Sequence, residues 1–213
     1  MFKHFTFSKL VVGVAVIAVL AGTAFAQGPA SPGKLNKAYP LTIDGTATLV
    51  GKWACGGDAR VEAKAEPSAE PVPGLLEGIQ TIIVIAYVPN IECGDSTMNK
   101  HLRKALKVDA YPEIRYKAGK YTLVDNGAAV QSSGELTIAG VTKPVGLGAK
   151  LIPLPEGGAR VEGAMEIDMT DYGVKPPSVL FGALKVARTV TVRFDTTVRL
   201  PHEMTQALFP GLQ

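Results

Sequence analysis

Two carboxylates, Glu166 and Asp168, come closer than any other residues of this 213-residue chain to a catalytic acid–base pair. They alternate with Val161, Met165 and Ile167, so the charged and apolar residues of this segment occupy opposite faces of a strand. General acid–base catalysis needs a buried pair whose pKa values are driven apart. Because both carboxylates lie on the polar face, we interpret them as part of a solvated strand edge.

Motifs for nucleophiles, nucleotides and metals are incomplete. Gly94-Asp-Ser-Thr-Met98 lacks the last glycine of the Gly-x-Ser-x-Gly elbow, and Gly146-Leu-Gly-Ala-Lys-Leu151 stops after two glycines of a dinucleotide fingerprint. There is no Cys-x-x-Cys, and only His101 and His202 follow the leader described below. We therefore predict that the protein is not an enzyme and has no metal site and no cofactor.

The N-terminus predicts export. Lys3 and Lys9 precede an apolar run from Leu10 to Leu20, and Ala24-Phe-Ala26 has the small-x-small pattern of a signal-peptidase site. We predict a signal peptide over residues 1–26 and a periplasmic or secreted protein. An uncleaved anchor is the alternative, but the apolar run is shorter than the ~20 residues of a spanning helix, so no stable membrane insertion is expected after cleavage.

The charge of the chain limits its partners. Removal of the two leader lysines lowers the formal net charge from +3 to +1. No run of Lys and Arg interleaved with aromatic residues is present, so the sequence does not indicate nucleic acid as a partner.

Two cysteines, Cys55 and Cys93, remain after the leader. In an oxidising compartment an even number of cysteines favours a disulfide. Two buried free thiols are the alternative, because sequence spacing alone does not establish pairing.

The remaining pattern predicts strands and one helix. Thr81 to Val88 is apolar on both faces, which predicts a strand buried on both sides and covered by the helix that begins near Ser96, its predicted N-cap. Gly56-Gly-Asp58 predicts a turn, and Asp125-Asn-Gly127 predicts a hairpin. Further strands are predicted at residues 41–43, 47–53, 59–65, 120–124, 128–131, 147–152, 159–169 and 190–200.

Four motifs carry a family resemblance. They are His101-Leu-Arg103, Tyr111-Pro-x-Ile114, Gly134-x-Leu-Thr-Ile-x-Gly-Val-Thr-Lys-Pro-Val145 and Asp171-Tyr-Gly-Val174. In this order they resemble the YceI-like family of exported lipid-binding barrels. The resemblance implies a mainly β fold, an antiparallel lipocalin-like β-barrel with one short α-helix, whose lumen holds a long isoprenoid-type chain.

The resemblance and the composition together suggest a domain organisation. After the signal peptide we expect a flexible lead-in over residues 27–40, a YceI-like β-barrel domain over 41–200 and a C-terminal tail over 201–213. Residues 66–74, rich in Pro, Glu, Ser and Ala, are predicted to form a rim loop.

Apolar strand residues are the candidate lipid-binding lumen, since one alternating set must point inward in a closed sheet. The candidates are Trp53, Ile83, Ile85, Tyr87, Ile114, Tyr116, Leu136, Ile138, Phe181, Val190, Val192 and Phe194. For each of them, ordinary core packing is the alternative. The predicted function is non-catalytic binding, transport or sequestration of a polyisoprenoid or similar apolar lipid. The alternative is a structural or stress-related exported barrel with a filled core and no lipid; a homodimer is left open.

Overall fold

Alternating apolar and polar residues produce most of the secondary structure. The computed structural model describes residues 40–65, 79–155, 157–179 and 183–199, together with residue 35. The predicted signal peptide, rim loop and C-terminal tail, as well as Phe181, lie outside the described residues. The described elements are β1 (Leu41–Ala47), β2 (Gly51–Gly57), β3 (Ala59–Ala65), β4 (Ile79–Tyr87), α1 (Ser96–Ala105), β5 (Glu113–Val124), β6 (Ala129–Ile138), β7 (Val141–Pro153), β8 (Ala159–Asp168), β9 (Ser178–Val179), β10 (Leu184–Lys185) and β11 (Thr189–Val198).

Nine of these strands form one antiparallel sheet in the order β2-β1-β11-β8-β7-β6-β5-β4-β3. The two outermost strands, β2 and β3, follow one another in the same direction with only Asp58 between them. β2 pairs with β1 and β3 pairs with β4, so a single bent run serves both ends of the sheet. The sheet therefore curls into a nearly closed barrel. This confirms the predicted fold class, a mainly β antiparallel barrel with one helix.

The bend between β2 and β3 corrects the sequence prediction. Gly56-Gly-Asp58 was expected to form a turn, but the chain continues in the same direction through it. Glycines in a strand permit a sharp bend as well as a reversal, so sequence alone does not distinguish the two. The reversal lies earlier, at Thr48–Val50, where Leu49 has a φ of 70° and interrupts the predicted strand 47–53.

Two hairpins have the residues that their turns require. Asp125–Gly127 joins β5 to β6 as predicted, with Asn126 at a φ of 55°. Ala139 and Gly140 join β6 to β7, with φ values of 49° and 84°. The Tyr111 ring lies over Gly140, where any side chain would collide with it. Two of the motifs that carry the family resemblance therefore pack against each other.

The barrel has two unlike ends. The connections β1–β2, β4–β5, β6–β7 and β8–β11 all lie at one end, here called the helix end because β4–β5 contains α1. The connections β5–β6 and β7–β8 lie at the opposite, far end. Val88 and Ile91, which precede α1, are 0% and 1% exposed, so the helix end is tightly packed.

α1 begins one residue earlier than a Ser96 cap would require. The N-cap is Asp95, whose Oδ1 accepts hydrogen bonds of 2.9 Å from the N–H groups of Thr97 and Met98. One carboxylate oxygen thus satisfies two of the free donors at the helix start, and Ser96 becomes the first helical residue.

The apolar stripe of α1, Met98, Leu102 and Ala105, packs on the barrel core that also receives Ile82 and Val84 of β4. Ile83 and Ile85 are buried outside that cluster. The stripe of α1 therefore does not provide the predicted cover for the second apolar face of β4.

A disulfide joins Cys55 to Cys93 with an S–S distance of 2.01 Å, which confirms the predicted pairing. Beside it, Gly56 and Glu92 exchange backbone hydrogen bonds of 2.7 and 2.8 Å. The side chain of Asn99 accepts a 2.7 Å hydrogen bond from the Cys93 N–H and donates another to Glu92. The segment leading into α1 is thus attached to β2 by covalent and polar contacts.

Replacing both Cys55 and Cys93 by alanine is expected to lower the free energy of unfolding by about 4 kcal/mol, since the disulfide closes a loop with a sequence separation of 38 residues. Urea unfolding of the variant, and of the wild type with and without reductant, measures this loss. Labelling of two thiols in unfolded, unreduced wild-type protein would contradict the pairing.

Candidate functional site

Strand register separates the inner and outer faces of the barrel. Directly opposed residues of neighbouring strands point to the same face. Val84 lies opposite Tyr116, which lies opposite Leu136. Tyr116 and Leu136 belong to the main core cluster, and Val84 packs against it. These three residues therefore mark the inner face.

Most of the predicted lumen residues share that face. By register they are Trp53, Ile114, Tyr116, Leu136, Ile138, Val190, Val192 and Phe194. The structure thus brings them around one interior. Whether they contact a lipid stays a prediction.

Three of the predicted residues point the other way. Ile83, Ile85 and Tyr87 alternate with Val84 and therefore lie on the outer face. Ile83 and Ile85 are nevertheless only 8% and 5% exposed. Since β4 is apolar on both faces, alternation could not identify its inner side, and the cross-strand register decides it. These residues do not belong to the lumen.

Five further apolar residues point into the barrel but are not among the lumen residues predicted from the sequence. Near the far end, large apolar side chains on the inner face are half-buried: Leu123, Val130, Leu151, Val161 and Val198. The signal was clear for Val161 and Val198, which have polar residues on both sides, and weaker for Leu123 and Val130, each of which has one apolar neighbour.

Packing of the inner face changes along the barrel axis. Towards the helix end Leu136, Ile138, Ile167 and Val190 are 5–7% exposed. Towards the far end most of the large inner apolar side chains are half-buried, whereas Tyr121, Ala149 and Ala159 are buried. Inward-pointing side chains that remain accessible border space inside the barrel. Half-buried inner side chains such as Ile114 and Val141 also occur at the helix end, so the difference is that the larger accessible group lies towards the far end.

Few polar groups interrupt the inner wall. The Tyr116 hydroxyl and Ser132 Oγ are 2.7 Å apart, and Ser132 Oγ donates to the Leu147 carbonyl at 3.3 Å. Among the described side chains of the inner face there is no carboxylate and no histidine. Trp53 Nε1 is buried and has no hydrogen-bond partner in the described part of the chain.

A second feature lies in the wall at the helix end. β7 pairs with β8 only from Ala149 to Pro153, while its first half pairs with β6 alone. We call the resulting wedge the β7–β8 fork. It holds a cleft of about 240 Å³ lined by Lys143, Pro144, Val145, Met165, Glu166, Ile167, Asp168, Asp171 and Tyr172.

The carboxylates that line the fork are either exposed or engaged in stabilising a turn. Asp168 Oδ1 accepts hydrogen bonds from Thr170 Oγ1 at 2.6 Å and from its N–H at 3.0 Å, which lower the pKa of Asp168, and Arg188 at 3.0 Å acts in the same direction. Glu166 is exposed. Burial raises the pKa of the Tyr172 hydroxyl, and Asp171 adds to the shift. Asp168 thus caps the Met169–Tyr172 turn.

Gly45→Ala is expected to destabilise the barrel by about 1–3 kcal/mol, since a side chain at this inner position would overlap the Trp53 ring. Trp53 is the chain's single tryptophan, so its fluorescence should change as well. Gly148→Ala is the control, because nothing lies within 4 Å of a Cβ there. Equal stability of the two variants would refute this packing.

The Asp168 cap predicts an acid-dependent loss of stability. Its folded-state pKa lies below the ordinary value of about 3.9, so its contribution is complete above that pH and disappears as pH falls through the folded-state pKa. The difference in unfolding free energy between wild type and Asp168→Asn should therefore shrink below about pH 4. Urea unfolding across this range tests it, and a difference independent of pH would contradict it.

Comparison with known proteins gives one family match. The family model described as a YceI-like domain matches residues 41–198. A UPF0312 protein of Pseudomonas aeruginosa is 33% identical over 93 residues, which are 40% of this chain and 48% of the relative. The chain thus matches about half the length of its curated relatives.

Several solved structures share the fold. BcnA of Burkholderia cenocepacia superposes with a TM-score of 0.57 at 15% identity, covering 74% of this chain and 96% of that one. A polyisoprenoid binding domain from Saccharophagus degradans gives 0.56 at 14% identity, with coverages of 76% and 93%. The YCEI protein of Campylobacter jejuni gives 0.52 at 17% identity, with coverages of 70% and 85%.

Within the described residues, no helix is both long enough and apolar enough to cross a bilayer. Nor does that part of the chain contain a group of three or more His, Cys, Asp or Glu residues placed to hold a metal ion.

Proposed function

Because the chain belongs to the YceI-like domain family, we propose that its barrel binds a polyisoprenoid or similar apolar lipid, with the hydrocarbon chain in the far-end half of the lumen. The binding is non-catalytic and serves transport or sequestration. The predicted signal peptide supports a periplasmic or secreted site of action.

The observation that carries this proposal is the accessible apolar wall near the far end. Leu123, Val130, Leu151, Val161 and Val198 point inward there and remain half-buried. A chain of several isoprene units buried against such a wall would gain on the order of 10 kcal/mol before ordering costs, at about 25 cal/mol per Å² of apolar area. Shape and length of the lumen would then select the ligand.

The polar groups of the inner wall support binding without catalysis. The described inner side chains offer hydroxyls, such as those of Tyr116 and Ser132, but no nucleophile–base pair and no carboxylate. These hydroxyls bond to each other and to the Leu147 carbonyl. A wall of this kind suits hydrocarbon better than a charged reacting group.

A related fold also supports the ligand class. The Saccharophagus degradans domain, described as polyisoprenoid binding, has the same fold at 14% identity. A structural barrel without a lipid is the second candidate, favoured by the tight packing of Leu136, Ile138 and Val190 at the helix end. Lipid content distinguishes the two candidates.

The test is lipid extraction and mass spectrometry of protein purified from its native compartment, applied to two neighbouring variants. Leu151 points inward and Ile152 points outward and is 40% exposed, so both accept the same change from an apolar side chain to glutamate. Leu151→Glu should lower lipid content about tenfold or more, because its charge would lie against the hydrocarbon. Ile152→Glu should retain it.

Circular dichroism establishes that both variants are folded before their lipid content is compared. A wild-type protein free of lipid, or a folded Leu151→Glu variant with its full complement, would overturn the proposal. The first result would favour the structural barrel. The second would place the lipid away from this wall.

A further inference from the structure

The β7–β8 fork follows from the sequence of β7. Ile138 and Val141 flank a two-residue turn, so odd-numbered residues of β7 direct their backbone groups to β6. The hydrogen bond from Leu151 N–H to the Ala128 carbonyl fits this parity. The even-numbered residues therefore direct their backbone groups towards β8.

Pro144 stands at one of these even positions, halfway along the unpaired stretch of β7. It has no N–H, so it cannot donate to a ladder with β8. Gly146 and Gly148 follow, and a Cβ at either would find at most one atom, at 3.9 Å, within 4 Å. The missing donor at Pro144 works against a ladder with β8, and the wall is unpaired on the helix-end side of Ala149.

The fork brings inner-face side chains to the outside of the barrel. Val145, Met165 and Ile167 all point inward by register, yet they line the outward-opening cleft. Between the first half of β7 and the last residues of β8 the described wall has no ladder of hydrogen bonds. Side chains of β7 and β8, together with the Met169–Tyr172 turn that places Tyr172 in the cleft lining, therefore separate the interior from the surroundings here.

The cleft itself is too small to be the lipid site. Its volume of about 240 Å³ is below the range of about 300–1,000 Å³ that is usual for ligand pockets. Val145 and Met165 give it an apolar lining, Lys143 lies on the same inner face by register, and Glu166 lies on the outer face. The apolar part of this lining suits passage of a hydrocarbon chain.

We propose that the β7–β8 fork is a lateral gate through which the hydrocarbon chain of a lipid enters and leaves the lumen. This inference rests on the proposed function and adds its route. Widening the fork moves side chains and bends β7 at its glycines, but breaks no ladder hydrogen bond. Passage between laddered strands elsewhere in the wall would have to break such bonds.

The test locks the fork and measures exchange. Pro144→Cys with Glu166→Cys places two thiols on the outer side of the fork, for bridging by a short bismaleimide. Lys150→Cys with Glu162→Cys is the matched control, because these residues are already opposed in the paired part of β7 and β8. The native disulfide is buried at 1% exposure of each cysteine and stays intact without reductant.

The probe is all-trans-retinol, an isoprenoid whose fluorescence rises in apolar surroundings, in stopped-flow binding and release. Bridging the fork should slow both rates at least tenfold and leave the dissociation constant unchanged, whereas bridging the control pair should change neither rate. Each bridged protein is compared with its own unbridged form, which removes the effect of the substitutions themselves.

The outcomes separate the two proposals. Unchanged rates in the bridged fork variant, with retinol still bound, overturn the gate and leave the proposed function standing. Absence of retinol binding by the wild-type protein and by lipid-extracted wild type overturns the proposed function and the gate together. As a second measurement, Pro144→Thr restores a donor to β7 and should slow release without any reagent; unchanged release would also contradict the gate.

Discussion

Closure of the barrel depends on one bent run of chain that serves two neighbours. Its first half, β2, pairs with β1, and its second half, β3, pairs with β4. The two outermost strands of the sheet are thus consecutive parts of one chain segment. Neither edge of the sheet is therefore left as a long exposed strand there. The bend is held by the Cys55–Cys93 disulfide and by the backbone bonds between Gly56 and Glu92.

The same contacts organise the helix end. Arg103 Nη2 donates hydrogen bonds of 3.1 Å to the Pro89 carbonyl and to Glu92 Oε1, and Asn99 also bonds to Glu92. α1 is therefore held over the end of the barrel by a polar network next to the disulfide. Arg103 belongs to a motif that carried the family resemblance, so that motif positions a helix.

The inner and outer faces of a strand can be predicted from the sequence where apolar and polar residues alternate clearly. β8 and β11 alternate over most of their length, so inner residues such as Val190 and Val192 follow from the sequence. β4 has two apolar faces, and only pairing with β5 shows that Ile83 points outward. The β7–β8 fork was not predicted, because a proline on one strand matters only once its backbone is known to face a neighbour.

The N-cap of α1 and the bend between β2 and β3 could not be predicted from the sequence either. Asp95 and Ser96 are both good N-cap residues, and the structure shows that Asp95 is the one used. The glycines before Asp58 allow either a reversal or a bend. Which one forms depends on whether the next strand finds its partner in β4. Long-range pairing thus decides the bend.

The pairing of β1 with β11 gives the barrel a mechanical character. β1 starts and β11 finishes at the far end, and the Asp195 N–H donates a 2.8 Å hydrogen bond to the Pro40 carbonyl. A pulling force applied at these two points loads the bonds between β1 and β11 one after another, like a zipper, and does not shear them together. The barrel, which the disulfide reinforces next to α1, is therefore expected to resist a pulling force only weakly at its far end, where the half-buried inner side chains lie.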